Sequence, residues 1–532
     1  MKVFTLEEIT HNYKRWDTFT TNEKVGVITT VFSEQFLSKA FKVFSITRDD
    51  YAQEIEQNGI DTVFIDNDLF ETDHCWYRAH RGHLINYLTR NKKNICVIKN
   101  TSQEVNKIFK GRLVLEISPY LDQYEVCDST LKMPLLLNTD LYNPVNSYKN
   151  TDITYVHLGK ITTSLQKKID KSDITKRTEL ITSINLNRTF LEELFTSLKG
   201  SKILYINSSF QLDELSIRYI EYIAYLNSVY VIYDDKHKLD SIFQTGISSS
   251  RAINNKMKIL LRNPEFTFKK TLAMQRHILI NHTFLIQKNL SEFLINYAEL
   301  PSSPNISVII ATHRRKNLEL CFEQMNKQKY VSLEINVVTH GYELSAEEVT
   351  DFKNSSRFPI NINTANKSES LGMCLNKAVE SSSYPVIAKV DDDDYYLDHY
   401  LIDQWLALKY SYADVVGKSE AYYYFECEDI IAVRKRGEHL KYGDFIMGAT
   451  IMMKAEMLKE LLFADLPRAI DTDLLRRVDN NSGRIYIGHP FEMCVFRSKD
   501  IDNHTWQVSN LAILKDAEII GYGDPSQYVR IR

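Results

Sequence analysis

Glycine is scarce in this sequence, with 17 copies among 532 residues. No segment is a convincing GxGxxG loop, the glycine-rich turn with which many nucleotide-binding domains hold phosphate. The scarcity argues against a nucleotide site that is built on such a loop.

Cysteine is also scarce, and its seven copies are scattered without any CxxC pair. A disulfide framework is typical of an even count at regular spacing, and a cysteine zinc site needs close pairs. We therefore expect reduced thiols and a cytoplasmic protein. The cysteines are Cys75, Cys96, Cys127, Cys321, Cys374, Cys427 and Cys494.

Long apolar runs and a strong excess of one charge are missing as well. The first residues, MKVFTLEEITHNYKRW, contain no apolar signal core, and no run approaches the length of a transmembrane helix. The formal net charge is −4, which gives no footprint for nucleic acid. We expect no nucleic-acid partner, and we leave open a peripheral contact with the inner face of a membrane.

Strand-like and helix-like segments alternate along the chain. Runs such as VGVITTVF, DTVFIDN and NICVIKN read as strands, and helical segments separate them. This alternation predicts an α/β fold with parallel sheets. The clearest linker is PSSPN at 301–305. We predict two Rossmann-type domains, 1–147 and 148–300, followed by a separate α/β domain at 303–532.

The most informative stretch is PVIAKVDDDDYYLDHYL at 385–401. An apolar run that is broken only by Lys389 predicts a buried parallel strand, and four carboxylates, Asp391 to Asp394, follow it. Ligands of open α/β sheets bind at the carboxyl ends of strands. A hard divalent cation would relieve the repulsion among these carboxylates; the alternative is a solvated acidic turn. We also predict that Asp398 caps the next helix.

Four segments in the C-terminal half occur in the order typical of one enzyme family. They are SVIIATHRR (307–315), SLGMCLNKAVESSSYPVIAKVDDDDYY, DLPRAIDTDLLRRVDNNSGRIYI (465–487) and RSKDIDNHTW (497–506). Together they resemble the strand, DxD loop, acidic helix and late histidine loop of family-2 glycosyltransferases, which have the GT-A fold.

The resemblance implies a role for individual residues. Asp391, Asp393 and His504 would bind Mn²⁺ or Mg²⁺, and Asp471 would be the general base of an inverting transfer. Asp471 could instead cap its helix, and His504 could be an ordinary surface histidine. The residues expected to line the nucleotide-sugar pocket are Ala311, His313, Arg315, Thr339, Asn376, Asp391 and Asp392.

Two positions depart from the family pattern. The family usually has an aspartate after the second strand, where this sequence reads Thr339-His340-Gly341, and the acid pair of the later helix is Ile470-Asp471 here. The first departure bears on the nucleotide, which the resemblance implies is uridine diphosphate. Asp471 is the member of the pair that is expected to act as the base.

The N-terminal half resembles the GT-B-like double-Rossmann region of CgeB-like proteins. The resemblance rests on DTVFIDNDLFETDHCW, ICVIKN, YNPV and RHILINHTF. It implies either an acceptor-binding or scaffolding role, or a second transferase site.

The whole sequence predicts a metal-dependent inverting glycosyltransferase. It would move a sugar from a nucleoside diphosphate, expected to be UDP, to a hydroxyl of a glycan, a teichoic-acid-like polymer or a lipid-linked acceptor. The alternatives are a bifunctional transferase and a non-catalytic glycan-binding scaffold with a decayed GT-A domain.

Overall fold

The computed structural model forms two compact units: an N-terminal unit of Met1–Tyr142 and Asn150–Ser302, and a C-terminal unit of Ser303–Arg532 together with Asn143–Lys149. The structure describes residues 24–28, 37–67, 76, 79–99, 104–118, 120–122, 124–127, 130–145, 155–160, 163–170, 178–181, 188–199, 201–207, 209–210, 214–233, 250–287, 303–499 and 508–532.

The N-terminal unit begins with a seven-stranded sheet of order β2-β1-β3-β4-β5-β7-β6. All neighbours pair in parallel except β6 and β7. Its strands are β1 (Lys24–Ile28), β2 (Lys42–Ser45), β3 (Thr62–Asp66), β4 (Asn94–Lys99), β5 (Leu113–Ser118), β6 (Glu125–Cys127) and β7 (Thr130–Pro134), and its helices are α1 (Tyr51–Gln57) and α2 (Ala79–Arg90).

A second sheet in the same unit is four-stranded and parallel, with the order β11-β10-β8-β9. The strands are β8 (Tyr155–Leu158), β9 (Thr178–Ile181), β10 (Ile203–Ile206) and β11 (Tyr230–Tyr233). The helices are α3 (Thr163–Asp170), α4 (Arg188–Leu198), α5 (Glu214–Leu226), α6 (Ser250–Arg262) and α7 (Pro264–Asn281).

Helix α7 connects parts of the N-terminal unit that are far apart in sequence. It packs against α5 and α6, and the amide of Gln275 donates to the carbonyl of Tyr225 (3.1 Å). Just beyond its end, the carbonyl of His282 accepts from the backbone N–H of Leu137 (2.7 Å), which follows β7. The predicted boundary between two domains near residue 147 stays a prediction.

The C-terminal unit is built on an eight-stranded mixed sheet of order β14-β13-β12-β15-β21-β17-β22-β20. Its strands are β12 (Asn305–Thr312), β13 (Ser332–His340), β14 (Ile360–Ala365), β15 (Val386–Lys389), β17 (Val415–Gly417), β20 (Lys441–Tyr442), β21 (Met452–Lys454) and β22 (Ile485–Ile487). The helices are α8 (Leu318–Asn326), α9 (Ala346–Ser355), α10 (Leu371–Glu380), α11 (Tyr400–Tyr410), α12 (Ala455–Leu461) and α13 (Ile470–Asn480).

A five-stranded sheet of order β16-β23-β18-β19-β24 completes this unit. It contains β16 (Tyr395–Tyr396), β18 (Ala421–Phe425), β19 (Ile430–Arg434), β23 (Met493–Arg497) and β24 (Ala517–Tyr522), with α14 (Asn510–Leu514) and α15 (Ser526–Val529) near the end of the chain. The predicted α/β fold class is confirmed. In the part of the chain that the structure describes, no helix has both the length and the apolarity to span a membrane.

The predicted N-cap of α11 is wrong. The helix begins at Tyr400 with His399 at its N-cap, and no side chain caps it. The carboxylate of Asp398 instead accepts from Arg530 (3.2 Å) and pairs with Lys329 (3.4 Å). Tertiary ion pairs have therefore replaced the local cap, and only the folded chain brings these cations to the aspartate.

The carboxylate of Glu334 joins three neighbouring segments of the large sheet. Glu334 on β13 is buried, and it accepts from the hydroxyls of Ser307 and Ser383 and from the backbone N–H groups of Ser383 and Tyr384. Burial alone would raise the pKa of Glu334, but these hydrogen bonds outweigh it and lower the pKa.

We predict that Glu334→Gln weakens the pairing of β12, β13 and β15 at neutral pH. Losing charged hydrogen bonds costs about 1–3 kcal/mol, which corresponds to roughly 5- to 150-fold faster amide exchange. A lowered folded-state pKa gives stability that is present above the unfolded pKa and lost as the pH falls through the folded pKa. Hydrogen exchange should thus show faster exchange of the backbone amides of β12, β13 and β15 in the variant than in the native chain. This difference in exchange rate should become smaller as the pH is lowered.

Glu323→Gln is the control, because Glu323 is 61% exposed and pairs only with Lys327 of its own helix turn. Equal protection of β13 in the native chain and the Glu334→Gln variant at neutral pH would contradict this account.

Candidate active site

The carboxyl ends of β12, β13 and β15 lie side by side at one edge of the large sheet. Strand β12 pairs in parallel with both neighbours, and Thr312 at its end is in register with Thr339 of β13. The residues that follow these strands therefore leave the sheet at a common edge. The four aspartates follow β15 there, as the sequence predicts.

Arg314 binds two of the four aspartates. Its guanidinium donates to Asp392 through Nε (3.0 Å) and Nη2, and to Asp393 through Nη1 (2.8 Å). The hydroxyl of Thr312 also donates to Asp392. Burial raises the pKa of Asp392, and the hydrogen bonds and charge of Arg314 oppose that rise. Arg314 thus compensates much of the acidic charge of the loop.

Lys389, the last residue of β15, connects the aspartate loop with helix α13. The ammonium Nζ lies 2.7 Å from Oδ1 of Asp391 and 3.7 Å from Oδ2 of Asp471, and its side chain is only 4% exposed. Burial would lower the pKa of Lys389, but the two carboxylates outweigh burial and raise it. The lysine is therefore a buried cation between two acids that are distant in sequence.

Asp471, at the start of α13, is in the electrostatic state that suits a base. Burial raises its pKa from the ordinary value, the charge of Lys389 opposes the rise, and that of Asp391 adds to it. Its Oδ1 is buried and has no hydrogen-bond partner among the described residues. An unpaired buried carboxylate oxygen costs free energy, and in native structures such a group calls for an explanation such as a catalytic role.

A glycine makes room for this carboxylate. Gly448 starts a short 3₁₀ turn, and a Cβ there would come 1.9 Å from Oδ2 of Asp471. The next residue, Ala449, accepts a hydrogen bond from the hydroxyl of Tyr396 (2.9 Å), which itself accepts from the backbone N–H of Asp391 (3.0 Å). The turn, the aspartate loop and Asp471 thus lie together.

The fourth aspartate serves the packing of the fold. Asp394 is buried, and its carboxylate accepts from the backbone N–H of Phe496 on β23 (2.9 Å). Burial, followed by the charges of Asp393 and Asp391, raises its pKa. It links the loop to the five-stranded sheet.

The two aspartates predicted to bind a metal are the more exposed members of the loop. The side chains of Asp391 and Asp393 are 39% and 19% exposed, compared with 3% for Asp392. Their carboxylate oxygens are the ligand type that Mg²⁺ and Mn²⁺ prefer, so the donor set fits such an ion. His504 lies outside the described residues, and among the described ones the loop does not gather three ligand groups within 4.8 Å.

The residues predicted for the nucleotide pocket have different environments. His313 is exposed beside the loop, and the partial loss of solvent around its ring, followed by the charge of Arg314, lowers its pKa. Arg315 pairs with Glu348, and Thr339 is buried against the hydroxyl of Thr364 (3.1 Å).

Ala311 and Asn376, which are also predicted to line the pocket, take part in the packing and hydrogen bonding of the fold. Ala311 packs against the core of the unit. The amide of Asn376 exchanges two hydrogen bonds with the backbone of Phe463 (2.9 and 2.8 Å). The role of each pocket residue stays a prediction.

Sequence reasoning missed Arg314, Lys389 and Gly448 as parts of this site. The lysine left a signal, since a charged residue interrupts an otherwise apolar strand directly before the aspartates. Arg314 is flanked by His313 and Arg315, and no pattern in the sequence distinguishes which of the three faces the loop. Nothing in the sequence near Gly448 points to Asp471.

Comparison with known proteins supports the resemblance. Residues 307–451 match the profile of glycosyl transferase family 2, so the C-terminal unit carries a family-2-like glycosyltransferase domain. The match includes β12, the aspartate loop and Gly448, and it ends before Asp471. A search of curated proteins finds no match.

Two solved structures are similar at low identity. One is S. aureus TarS 1-349 in complex with UDP-GlcNAc, at 15% identity over 38% of this chain and 61% of that one, with a TM-score of 0.31. The other is the mannosyltransferase PcManGT from Pyrobaculum calidifontis in complex with GDP-Man and Mn²⁺, at 13% identity over 46% and 68%, with a TM-score of 0.30. The chain thus spans about three fifths of the TarS structure, and likenesses of this size support no inference about function.

We predict that Gly448→Ala inactivates the site without unfolding the chain. The new methyl group would push the Asp471 carboxylate aside, and a displacement of about 1 Å at a reacting group can cost roughly 100-fold in rate. The measurement is kcat/KM for sugar transfer, together with a melting curve.

The matched control is Gly82→Ala, because a Cβ at Gly82 meets nothing within 4 Å. If Gly448→Ala retained native kcat/KM, Asp471 would not be the reacting carboxylate.

Proposed function

We propose that the C-terminal unit transfers a sugar from a nucleoside diphosphate, UDP in the first instance, to a hydroxyl of an acceptor with inversion at the anomeric carbon. The single observation that carries the proposal is the convergence of the aspartate loop and Asp471 on the buried ammonium of Lys389. The family match over residues 307–451 supports the same reaction class.

Asp391 and Asp393 would hold a divalent cation, Mn²⁺ or Mg²⁺, whose charge offsets that of the leaving diphosphate. His504 is the third ligand proposed from the sequence. Arg314 pairs with Asp392 and Asp393 and offsets part of the acidic charge of the loop.

Asp471 is proposed as the general base. Its carboxylate takes the proton of the acceptor hydroxyl as that oxygen bonds to the anomeric carbon, and the bond to the diphosphate oxygen breaks with its electron pair leaving on the diphosphate. A raised pKa makes a carboxylate a stronger base at neutral pH, and the burial of Asp471 acts in this direction. Lys389 opposes the rise and favours the ionised carboxylate, which is the form that accepts a proton.

The acceptor that we propose is a glycan, a teichoic-acid-like polymer or a lipid-linked glycan, and the place of action is the cytoplasm or the inner face of its membrane. Reduced cysteines support this compartment: the five whose side chains the structure describes are all free thiols. The N-terminal unit would bind the acceptor or act as a scaffold.

The test is release of nucleoside diphosphate from a panel of sugar nucleotides, with and without Mn²⁺ or Mg²⁺, and with candidate acceptors present. We expect cation-dependent release from one donor. Asp393→Ala should abolish the cation-dependent release. Asp471→Asn should reduce the rate of release by about 100- to 10,000-fold, the usual contribution of a general base.

Asp473→Asn is the matched control for Asp471→Asn. Asp473 lies on the same helix, and its carboxylate pairs with Arg476 (2.8 Å) and Arg477 (2.7 Å) rather than with Lys389. Its loss should leave the rate close to native. If calorimetry detected no binding of any donor, the transferase site would be abandoned in favour of a glycan-binding scaffold.

A further inference from the structure

A second group of potential metal ligands lies in the N-terminal unit, far in sequence from the aspartate loop. Asp122, His277 and His282 each offer one ligand atom, and these atoms lie within 4.8 Å of one another. Among the described residues this is the one group of three such side chains. Asp122 lies between β5 and β6, His277 lies in the last turns of α7, and His282 directly follows that helix.

The ring of His282 is oriented as in a metal-bound histidine. It is 1% exposed, and its Nδ1 lies 3.1 Å from the carbonyl of Leu135, to which it can only donate. The lone pair is therefore on Nε2, which lies 3.7 Å from Oδ1 of Asp122. Metal-binding histidines commonly donate their other ring nitrogen to a carbonyl in this way, which fixes the tautomer.

His277 completes the group from the same helix end. Its ring centroid is 5.3 Å from that of His282 at an angle of 61°, and the side-chain amide of Asn281 lies 3.0 Å from its Nδ1. The atom at this distance is the amide nitrogen Nδ2, which donates to Nδ1. A flip of the amide would present its oxygen to Nδ1–H instead and leave Nε2 as the ligand atom.

Burial favours the neutral form of both imidazoles, which is the form that binds metals. Burial, followed by the neighbouring His277, lowers the pKa of His282, and burial lowers the pKa of His277. The proposal itself rests on the positions of the three side chains.

A histidine that served only to fill the core would need fewer polar neighbours than His282 has. The hydroxyl of Tyr222 lies 3.3 Å from Nε2 of His282, and one such hydrogen bond satisfies a buried histidine. It does not account for a second neutral imidazole and a carboxylate on the same side. Asp122 is 59% exposed, so its side chain can close the remaining distance to an ion.

We propose that Asp122, His277 and His282 bind a transition-metal ion of the Zn²⁺ type, with solvent in the remaining position. Two imidazoles and one carboxylate form a ligand set that zinc sites use, with bonds of about 2.0–2.2 Å. The ion would join the segment between β5 and β6 to the end of α7, and would thereby tie two distant parts of the N-terminal unit. This site is independent of the proposed transferase function.

The test is titration of the full-length chain with Zn²⁺ by calorimetry and with Co²⁺ by visible absorption, which reports nitrogen ligands and low coordination number. The aspartate loop of the C-terminal unit also offers carboxylates, so both titrations are made in the Asp393→Ala background. We expect one tight site, weakened in Asp122→Asn and in His277→Gln by at least about tenfold, the loss caused by removal of even an outer-shell partner.

Asp61→Asn is the matched control, because Asp61 is similarly exposed, at 62%, and lies in the same unit with Lys93 as its partner. Because Asp122 is exposed, Asp122→Asn should leave the fold intact, and circular dichroism checks this. Absence of tight binding, or binding that Asp122→Asn and His277→Gln leave as tight as in Asp61→Asn, would overturn the proposal.

Discussion

The C-terminal site depends on one buried cation, the ammonium of Lys389 between Asp391 and Asp471. A buried charge is tolerated only where partners compensate for its desolvation, and removing one partner of a buried pair costs about 3–5 kcal/mol. The lysine therefore constrains the loop that follows β15 and the first turn of α13 at the same time. This ion pairing thus joins residues that are far apart in sequence.

The acidic loop illustrates how a fold distributes charges that repel one another. Asp392 is neutralised by Arg314, and Asp394 is buried against the backbone of Phe496. Asp391 and Asp393, the two more exposed carboxylates, remain at the surface of the loop with cationic neighbours. One sequence motif thus contains two residues that hold the loop in place and two that can act on a ligand.

Regular patterns in the sequence predicted much of the fold. Apolar runs located β1, β3 and β4, and the aspartates follow a buried strand, as the sequence predicts. These features depend on neighbours in sequence. The predicted cap at Asp398 failed because Arg530 and Lys329 reach that carboxylate through tertiary structure.

The site was less predictable because tertiary contacts bring its residues together. Arg314 and Arg315 are equivalent as sequence, and only the geometry after β12 turns the first toward Asp392 and the second toward Glu348. The contact of Gly448 with Asp471 likewise arises only on folding. Asp122 and His282 are far apart in the sequence of the N-terminal unit. Their proximity in the fold therefore could not be predicted from a short spacing between metal ligands.

The most direct test of the central claim is a double-mutant cycle between Lys389→Met and Asp471→Asn, read as kcat/KM for sugar transfer. Residues that act through one another show strongly non-additive effects. If Lys389 acts by holding the ionised base, the double variant should be no slower than Asp471→Asn alone. Rate losses that simply multiply would show that the two residues act independently, and would contradict the account.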